Sequence, residues 1–151
     1  MGIVGRSIKH LSGECYCGRT QVRSTGSPQT VVYCHCTDCR RVTGAPVTAW
    51  VAFADSDVEF TPDSGRLAPV STGARRSFCG DCGSPLAHKY DYAEGQTFVA
   101  VGLFDDATEL HPAMHAHYGS RLPWLDIHDD LDKIDNTSRT QLAAAKHEVR
   151  P

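Results

Sequence analysis

The 151-residue sequence has no apolar run close to the about 20 residues that a membrane-spanning helix needs. Its first residues also lack the apolar segment of a secretory signal peptide. We therefore expect a cytoplasmic protein that is not inserted in a membrane. The sequence has no basic excess either, because 15 Lys and Arg against 18 Asp and Glu give a net charge of −3. Such a balance offers no positive surface for DNA or RNA, so we expect no nucleic-acid partner.

Three common catalytic signatures are also missing. The sequence contains neither the G-x-S-x-G of serine hydrolases, nor a phosphate-binding P-loop, nor a G-x-G-x-x-G that follows a strand. These absences give no support to a serine hydrolase, a nucleotide hydrolase or a Rossmann dehydrogenase. With 40% hydrophobic and 22% charged residues, the composition is that of one ordinary globular domain.

Short β-branched or alternating segments recur between turn residues, and long helical periodicity is missing from the first 125 residues. This pattern predicts a mostly β domain. Strands are predicted near Thr20–Ser24, Thr30–Tyr33, Val47–Phe53, Val58–Phe60, Arg75–Phe78, Leu86–Tyr90, Thr97–Leu103 and Met114–Tyr118. A short helical turn is expected after Cys39, with Gly44 ending it.

Cysteine is the residue in informative excess. The seven cysteines fall into three groups: Cys15 and Cys17; Cys34, Cys36 and Cys39; Cys79 and Cys82. An odd number of cysteines without a secretion signal argues against a disulfide framework. Their clustering favours metal binding, and zinc is the metal that prefers such thiolate sets.

The first and third cysteine groups share a feature. Gly18 directly follows Cys17 and Gly83 directly follows Cys82, and a glycine there can take a positive φ that curls the backbone around a metal. We therefore pair Cys15, Cys17, Cys79 and Cys82 as the ligands of a closed, structural zinc site.

The middle group then supplies three ligands, Cys34, Cys36 and Cys39, and no fourth cysteine remains. An open fourth position is typical of catalytic zinc, so we expect two zinc ions per chain, one structural and one catalytic. Arg40 and Arg41 follow this group directly and could bind an anionic substrate through their guanidinium groups.

Other interpretations of these residues stay open. The middle group could be a second structural site completed by a further ligand such as His35, Asp38, His88 or a late histidine. The cysteines could carry no metal, and Arg40 and Arg41 could form an ordinary solvated face. Arg75 and Arg76 are given no role, one of them being expected on the outside of a strand.

The late histidines and the aromatic residues allow similar alternatives. His115 and His117 would lie on one face of a strand and could form a third metal site, but such pairs are more often hydrogen-bonded or solvent-facing. No role is predicted for His111. Trp50, Phe53 and Trp124 are expected in the core or at its rim rather than in a substrate-binding wall.

Together, three motifs resemble the glutathione-dependent formaldehyde-activating enzyme family, which includes centromere protein V. They are Gly13-Glu-Cys-Tyr-Cys-Gly18, Cys34-His-Cys-Thr-Asp-Cys-Arg-Arg41 with Gly44, and Phe78-Cys-Gly-Asp-Cys-Gly-Ser84. Weaker similarity extends through Val101-Gly-Leu-Phe-Asp-Asp106, His111-Pro112 and Pro123-Trp124. The resemblance implies a domain at residues 12–135, between an N-terminal extension, residues 1–11, and a C-terminal tail, residues 136–151.

The resemblance implies a β-tent of small antiparallel sheets held by zinc, like that of a zinc-containing chaperone of small GTPases. It assigns the same four cysteines to the structural zinc and Cys34, Cys36 and Cys39 to the catalytic one. The implied activity is that of a carbon–sulfur lyase, which joins glutathione and formaldehyde into S-hydroxymethylglutathione. A small-molecule thiol such as glutathione is then the expected partner. The alternative is a non-catalytic zinc module that binds a protein.

Overall fold

The computed structural model of the protein describes residues 10–68 and 73–136. In this part of the chain there are eleven strands: β1 Ser12–Glu14, β2 Gln21–Ser24, β3 Thr30–Cys34, β4 Thr48–Ala54, β5 Val58–Thr61, β6 Arg66–Ala68, β7 Ala74–Phe78, β8 Pro85–Tyr90, β9 Gln96–Ala100, β10 Met114–Ala116 and β11 Asp132–Lys133. One α-helix, α1, spans Thr37–Thr43, and short 3-10 turns join several strands. The prediction of a mostly β domain is confirmed.

The strands form two sheets of unequal size. The smaller has the order β1-β2-β5 and is antiparallel throughout. The larger has the order β11-β10-β3-β4-β9-β8-β7-β6, and it is mixed because β10 runs parallel to both β3 and β11. β10 pairs with β3 so that Ala116 lies opposite Cys34. The segment that follows Ala116 therefore lies beside this cysteine.

Several element boundaries differ from the sequence-based prediction. β1, β6 and β11 were not predicted, because strands of two or three residues have too little alternation to be recognised. The strand expected at Thr97–Leu103 ends at Ala100, and Val101–Leu103 forms a 3-10 turn. α1 begins before Cys39, at Thr37, and Gly44 ends it with a φ of 77°, as predicted.

Two groups of buried side chains form most of the core, and they share strand β4 between them. Val51 and Phe53 pack with Leu11, Val31, Val99 and Phe104 in the first group. Trp50 and Ala52, on the opposite face of β4, pack with Val32, Phe98, Tyr92 and the three middle cysteines. The second group is therefore both core and surroundings of the candidate site.

The domain boundaries at residues 12 and 135 stay a prediction. Leu11, assigned to the N-terminal extension, is fully buried and its backbone N–H donates to Ser24 Oγ at 2.9 Å. Most of the extension and all but the first residue of the predicted tail lie outside the described residues. No helix in residues 10–68 or 73–136 has the length and apolar character needed to cross a membrane.

Candidate metal centres

The first and third cysteine groups come together, as predicted, from two separate strand connections. Cys15 and Cys17 lie between β1 and β2, and Cys79 and Cys82 lie between β7 and β8. All four sulfurs lie within 4.8 Å of one another, with 3.6 Å between Cys15 and Cys17 and 3.8 Å between Cys17 and Cys79. Tetrahedral zinc with bonds of about 2.3 Å would hold its sulfurs about 3.8 Å apart. This four-cysteine site therefore has the dimensions of a closed zinc centre.

Matching turns shape the two halves of the four-cysteine site. Gly18 and Gly83 have φ values of +79° and +80°, so both take the left-handed conformation that the sequence analysis predicted. Their backbone N–H groups donate to the carbonyls of Cys15 at 3.0 Å and Cys79 at 2.8 Å. The Thr20 backbone N–H also donates to Cys15 Sγ at 3.3 Å, which stabilises negative charge on that sulfur.

Hydrogen bonds also influence which sulfurs of the four-cysteine site carry a proton. The Ser84 hydroxyl and backbone N–H lower the pKa of Cys82 to about 6, so this sulfur is a thiolate at neutral pH. The hydrogen bond from the Arg19 backbone lowers the pKa of Cys17, but the neighbouring sulfurs and the partial loss of solvent around them outweigh it and raise that pKa to about 12. A metal ion at this site would therefore displace protons from the less acidic sulfurs.

The middle cysteines form a second, compact group at the end of β3. Cys34 is the last residue of β3, Cys36 is the N-cap of α1, and Cys39 lies in its first turn. The Cys39 backbone N–H donates to Cys36 Sγ at 3.2 Å, so a sulfur replaces the usual oxygen as the capping acceptor. All three sulfurs are buried and lie within 4.8 Å of one another. We call this group the three-cysteine site.

No fourth His, Cys, Asp or Glu completes the three-cysteine site among the described residues. His35 Nε2 is hydrogen-bonded to His115 Nδ1 at 2.8 Å, and His88 Nδ1 accepts from Arg76 Nη1 at 2.8 Å. Asp38 also lies outside the group. The arrangement therefore leaves one coordination position that the described side chains do not fill.

The possible third metal site at His115 and His117 is not found among the described residues. β10 ends at Ala116, and His117 adopts a left-handed backbone with a φ of 53°. His115 is fully buried against His35 and Asp129, whereas His117 lines a cavity at the three-cysteine site. His111 is exposed and takes part in neither arrangement.

A small cavity of about 30 Å³ opens beside the three-cysteine site. Its polar lining comes from Cys34, Cys36, Arg76 and His117. The remaining wall is apolar or aromatic: Val32, Trp50, Tyr90, Tyr92, Phe98 and Ala116. Trp50 and Phe53 are core residues as expected, but Trp50 also faces this cavity, and Trp124 is 71% exposed.

Arg76 is the residue of the site that sequence reasoning missed. It is only 4% exposed, and its Nη1 lies 3.6 Å from Cys39 Sγ and 2.8 Å from His88 Nδ1. Its guanidinium carbon lies 5.5 Å from the centre of the Tyr90 ring. The sequence held one usable signal: neighbouring residues on a strand face opposite sides, so one of Arg75 and Arg76 had to face inward.

Charge at the three-cysteine site is concentrated next to Arg76. Hydrogen bonds from Cys34 and Cys36, with a further one from His88, hold the pKa of Cys39 well below its usual value. The same sulfur contacts raise the pKa of Cys34. Burial lowers the pKa of Arg76, but the charges of Tyr90 and Cys39 raise it by more. Without a metal, the favoured state therefore pairs a Cys39 thiolate with the Arg76 guanidinium.

Arg40 and Arg41, the predicted substrate-binding pair, lie outside the cavity lining. Arg40 Nη1 donates to the carbonyls of His35 and Ser120, each at 2.6 Å, and so ties α1 to the segment after β10. Arg41 is exposed on the helix surface. Their role in substrate binding stays a prediction.

A chain of hydrogen bonds reaches the backbone of the three-cysteine site through His35. Asp129 accepts from His115 Nε2 at 2.9 Å, and His115 Nδ1 in turn contacts His35 Nε2. Since a carboxylate only accepts hydrogen bonds, His115 carries a proton on Nε2. His35 lies between Cys34 and Cys36, so this chain fixes the backbone that presents both sulfurs.

Comparison with known proteins agrees with this geometry. The family model described as glutathione-dependent formaldehyde-activating enzyme matches residues 10–120. The chain belongs to this family. A Schizosaccharomyces pombe protein named as an uncharacterised lyase is 27% identical over 97 residues, which cover 64% of this chain and 70% of the relative. A crystal structure of a Rhodobacter sphaeroides protein matches with a TM-score of 0.51 at 19% identity, covering 82% of this chain and 98% of that one. This last likeness supports the fold.

Proposed function

We propose that the protein is a zinc-dependent carbon–sulfur lyase of the S-hydroxymethylglutathione synthase type. Its substrate would be the adduct of a thiol such as glutathione with formaldehyde or a related small carbonyl compound. The observation that carries the proposal is the three-cysteine site, in which three buried sulfurs lie together, Cys34 and Cys36 line a cavity, and no fourth described ligand closes the set. Family membership and the relative named as a lyase support the same chemistry.

The two cysteine sites fit zinc in two different roles. Cys15, Cys17, Cys79 and Cys82 would hold a structural ion, and Cys34, Cys36 and Cys39 a catalytic one. When bound at the second site, zinc would supply an open position that lowers the pKa of a thiol from about 8.5 towards neutral pH. Thiolate ligands make the metal a weaker Lewis acid than histidines would, which favours handling sulfur over generating hydroxide.

Residues around the cavity would take part in proton transfer and would contact the carbonyl compound. In the synthetic direction the thiol loses its proton, its sulfur forms a bond to the carbonyl carbon, and the carbonyl oxygen takes up a proton. His117 supplies an imidazole to the cavity wall, and burial lowers its pKa despite the opposing charges of Cys39 and Asp38. The imidazole is therefore neutral at neutral pH and can accept a proton. Trp50 and Phe98 form part of the apolar wall that the carbonyl compound would contact.

Exchange NMR tests this proposal. Protein holding two metals is added to glutathione and formaldehyde, and the exchange rate between free and adduct thiol is compared with the uncatalysed rate. We expect acceleration in the wild type and none in Cys36→Ser, because that variant lacks a ligand of the catalytic site. Cysteine and a non-peptide thiol are tested in parallel, since another thiol could be the substrate.

The same experiment separates the enzyme from a non-catalytic zinc module. Background rates with every thiol, in protein shown to hold both metals, would contradict the lyase and favour the protein-binding module. Acceleration that persists in Cys36→Ser would place the chemistry away from the three-cysteine site.

A further inference from the structure

Arg76 is a buried cation whose charge is not balanced in the usual way. Buried arginines are normally paired with carboxylates, because a lone charge in the protein interior is costly. None of the ion pairs among the described residues involves Arg76. Its partners are Cys39 Sγ, the His88 ring and the face of Tyr90. The thiolates of the three-cysteine site are thus the anions that balance this guanidinium.

We propose, on the basis of the function proposed above, that Arg76 makes the three-cysteine site selective for ligands that bind as anions, thiolates above all. Three thiolates and one divalent ion carry a net charge of −1. An incoming thiolate would meet that negative charge in a buried site, where water screens it poorly. The fixed charge of Arg76 brings the net charge to zero, so the thiolate enters a neutral environment.

The four-cysteine site shows why a buried cation is needed at one site and not at the other. Four thiolates and a divalent ion carry a net charge of −2, yet Cys17 is exposed and Cys82 half-buried, so water can screen that charge. The nearest arginine in sequence, Arg19, is exposed and paired with Asp81 at 2.7 Å. At the three-cysteine site all three sulfurs are buried, and a protein cation replaces the water.

The other cations near the three-cysteine site are placed differently. Arg40 holds two backbone carbonyls and does not line the cavity. His88 does not line the cavity, and its Nδ1 contacts Arg76 Nη1 at 2.8 Å. Within the described cavity wall, Arg76 is therefore the one side chain with a permanent positive charge.

A pair of ligands that differ in charge tests this role without measuring activity. The protein is loaded with cobalt in place of zinc, and its visible absorption spectrum is followed while 2-mercaptoethanol or imidazole is added. The first binds as a thiolate and the second as a neutral ring. In Arg76→Gln we expect the affinity for 2-mercaptoethanol to fall by about tenfold or more, because a compensating charge is lost near the bound thiolate. The affinity for imidazole should change by less than about threefold.

Two further variants separate charge from structure. Arg75→Gln removes the neighbouring arginine, which is exposed and paired with Asp91, and should leave both affinities unchanged. Arg76→Lys keeps the charge but loses the planar guanidinium, and should retain thiol affinity within about threefold of the wild type. Melting temperature and metal content show that each variant is folded and loaded.

Each outcome has a defined meaning. Equal thiol affinity in wild type and a folded Arg76→Gln, or an equal loss for thiol and imidazole, would overturn the role of Arg76. If Arg76→Gln does not fold, Arg76→Met replaces it as the neutral variant: a thiol affinity that falls in Arg76→Met and is retained in Arg76→Lys supports the charge role, and equal thiol affinities in the two variants overturn it. A wild type whose spectrum does not respond to any thiol would instead contradict the proposed function itself.

Discussion

The two cysteine sites offer the same ligand atom, a cysteine sulfur, in different places in the fold. The four-cysteine site joins two strand connections that are more than 60 residues apart, as the contact between Cys17 and Cys79 shows. The three-cysteine site is local: its ligands span six residues at the junction of β3 and α1. The first site therefore connects distant parts of the fold, whereas the second contributes few long-range connections through its own ligands.

The two cysteine sites also differ in their exposure to solvent and in the groups that surround them. The four-cysteine site is closed, partly exposed and supported by backbone hydrogen bonds at Gly18, Thr20 and Gly83. The three-cysteine site is buried yet open to a cavity, and it is surrounded by titratable side chains such as Arg76, His88 and His117. A complete ligand set held by backbone hydrogen bonds is suited to stability, and an incomplete set beside a cavity with titratable side chains is suited to chemistry.

The largest expected effect is on folding. Cys82→Ser removes one ligand of the four-cysteine site, and structural zinc contributes on the order of 10 kcal/mol, comparable to the total stability of a domain. We expect this variant to be largely unfolded at 37 °C. Circular dichroism against temperature and metal analysis of the soluble fraction measure this. A melting temperature equal to that of the wild type would contradict the structural role.

Cys36→Ser is the matched change at the other site, and it should separate activity from folding. We expect the variant to hold one metal per chain instead of two and to lose thiol-dependent activity. Its melting temperature should fall far less than that of Cys82→Ser, because the three-cysteine site makes few long-range connections. Unfolding of both variants to the same extent would remove the distinction between the two sites.

The supporting histidine chain should make the protein sensitive to acid. Burial, followed by the positive charges of His115, Arg121 and Arg40, lowers the pKa of His35 to about 4. The unfolded chain, with an ordinary histidine pKa near 6.5, then binds more protons than the folded protein between these values. The stabilising contribution is thus complete above about pH 6.5 and is lost as the pH falls towards 4.

His35→Gln measures that contribution, with the exposed His111→Gln as its control. Between pH 7 and pH 5, the wild type should lose about 2 kcal/mol more of its free energy of unfolding than His35→Gln, and His111→Gln should follow the wild type. Denaturant unfolding at a fixed metal load gives these values. Parallel pH profiles for wild type and His35→Gln would show that His35 is not the acid-sensitive group.

The smallest expected effect concerns the predicted substrate-binding arginines. Arg41 is exposed, so Arg41→Ala should change the free energy of unfolding by less than about 0.5 kcal/mol. If Arg41 binds a substrate carboxylate, KM for the glutathione adduct should rise severalfold while kcat stays unchanged. An unchanged KM would identify Arg41 as part of an ordinary solvated surface.

The sequence predicts the ligand sets far better than their surroundings. Paired cysteines followed by Gly18 and Gly83 were sufficient to group four ligands, because a local turn brings each pair together. The position of Arg76 could not be predicted in the same way, since its contact with Cys39 joins residues that are 37 positions apart in the sequence. His115 and His117 differ for a similar reason: β10 ends between them, and a period-two pattern does not reveal where a strand ends.

Cadmium-113 NMR tests the central distinction between a closed and an open site most directly. Protein loaded with two cadmium ions should give one resonance for each cysteine site. On addition of glutathione, we expect the resonance of the three-cysteine site, identified by its absence in Cys36→Ser, to shift as a further sulfur joins the metal. The resonance of the four-cysteine site should stay in place. Two resonances that both remain unchanged at saturating thiol would contradict the account, because neither site would then offer a position to the substrate.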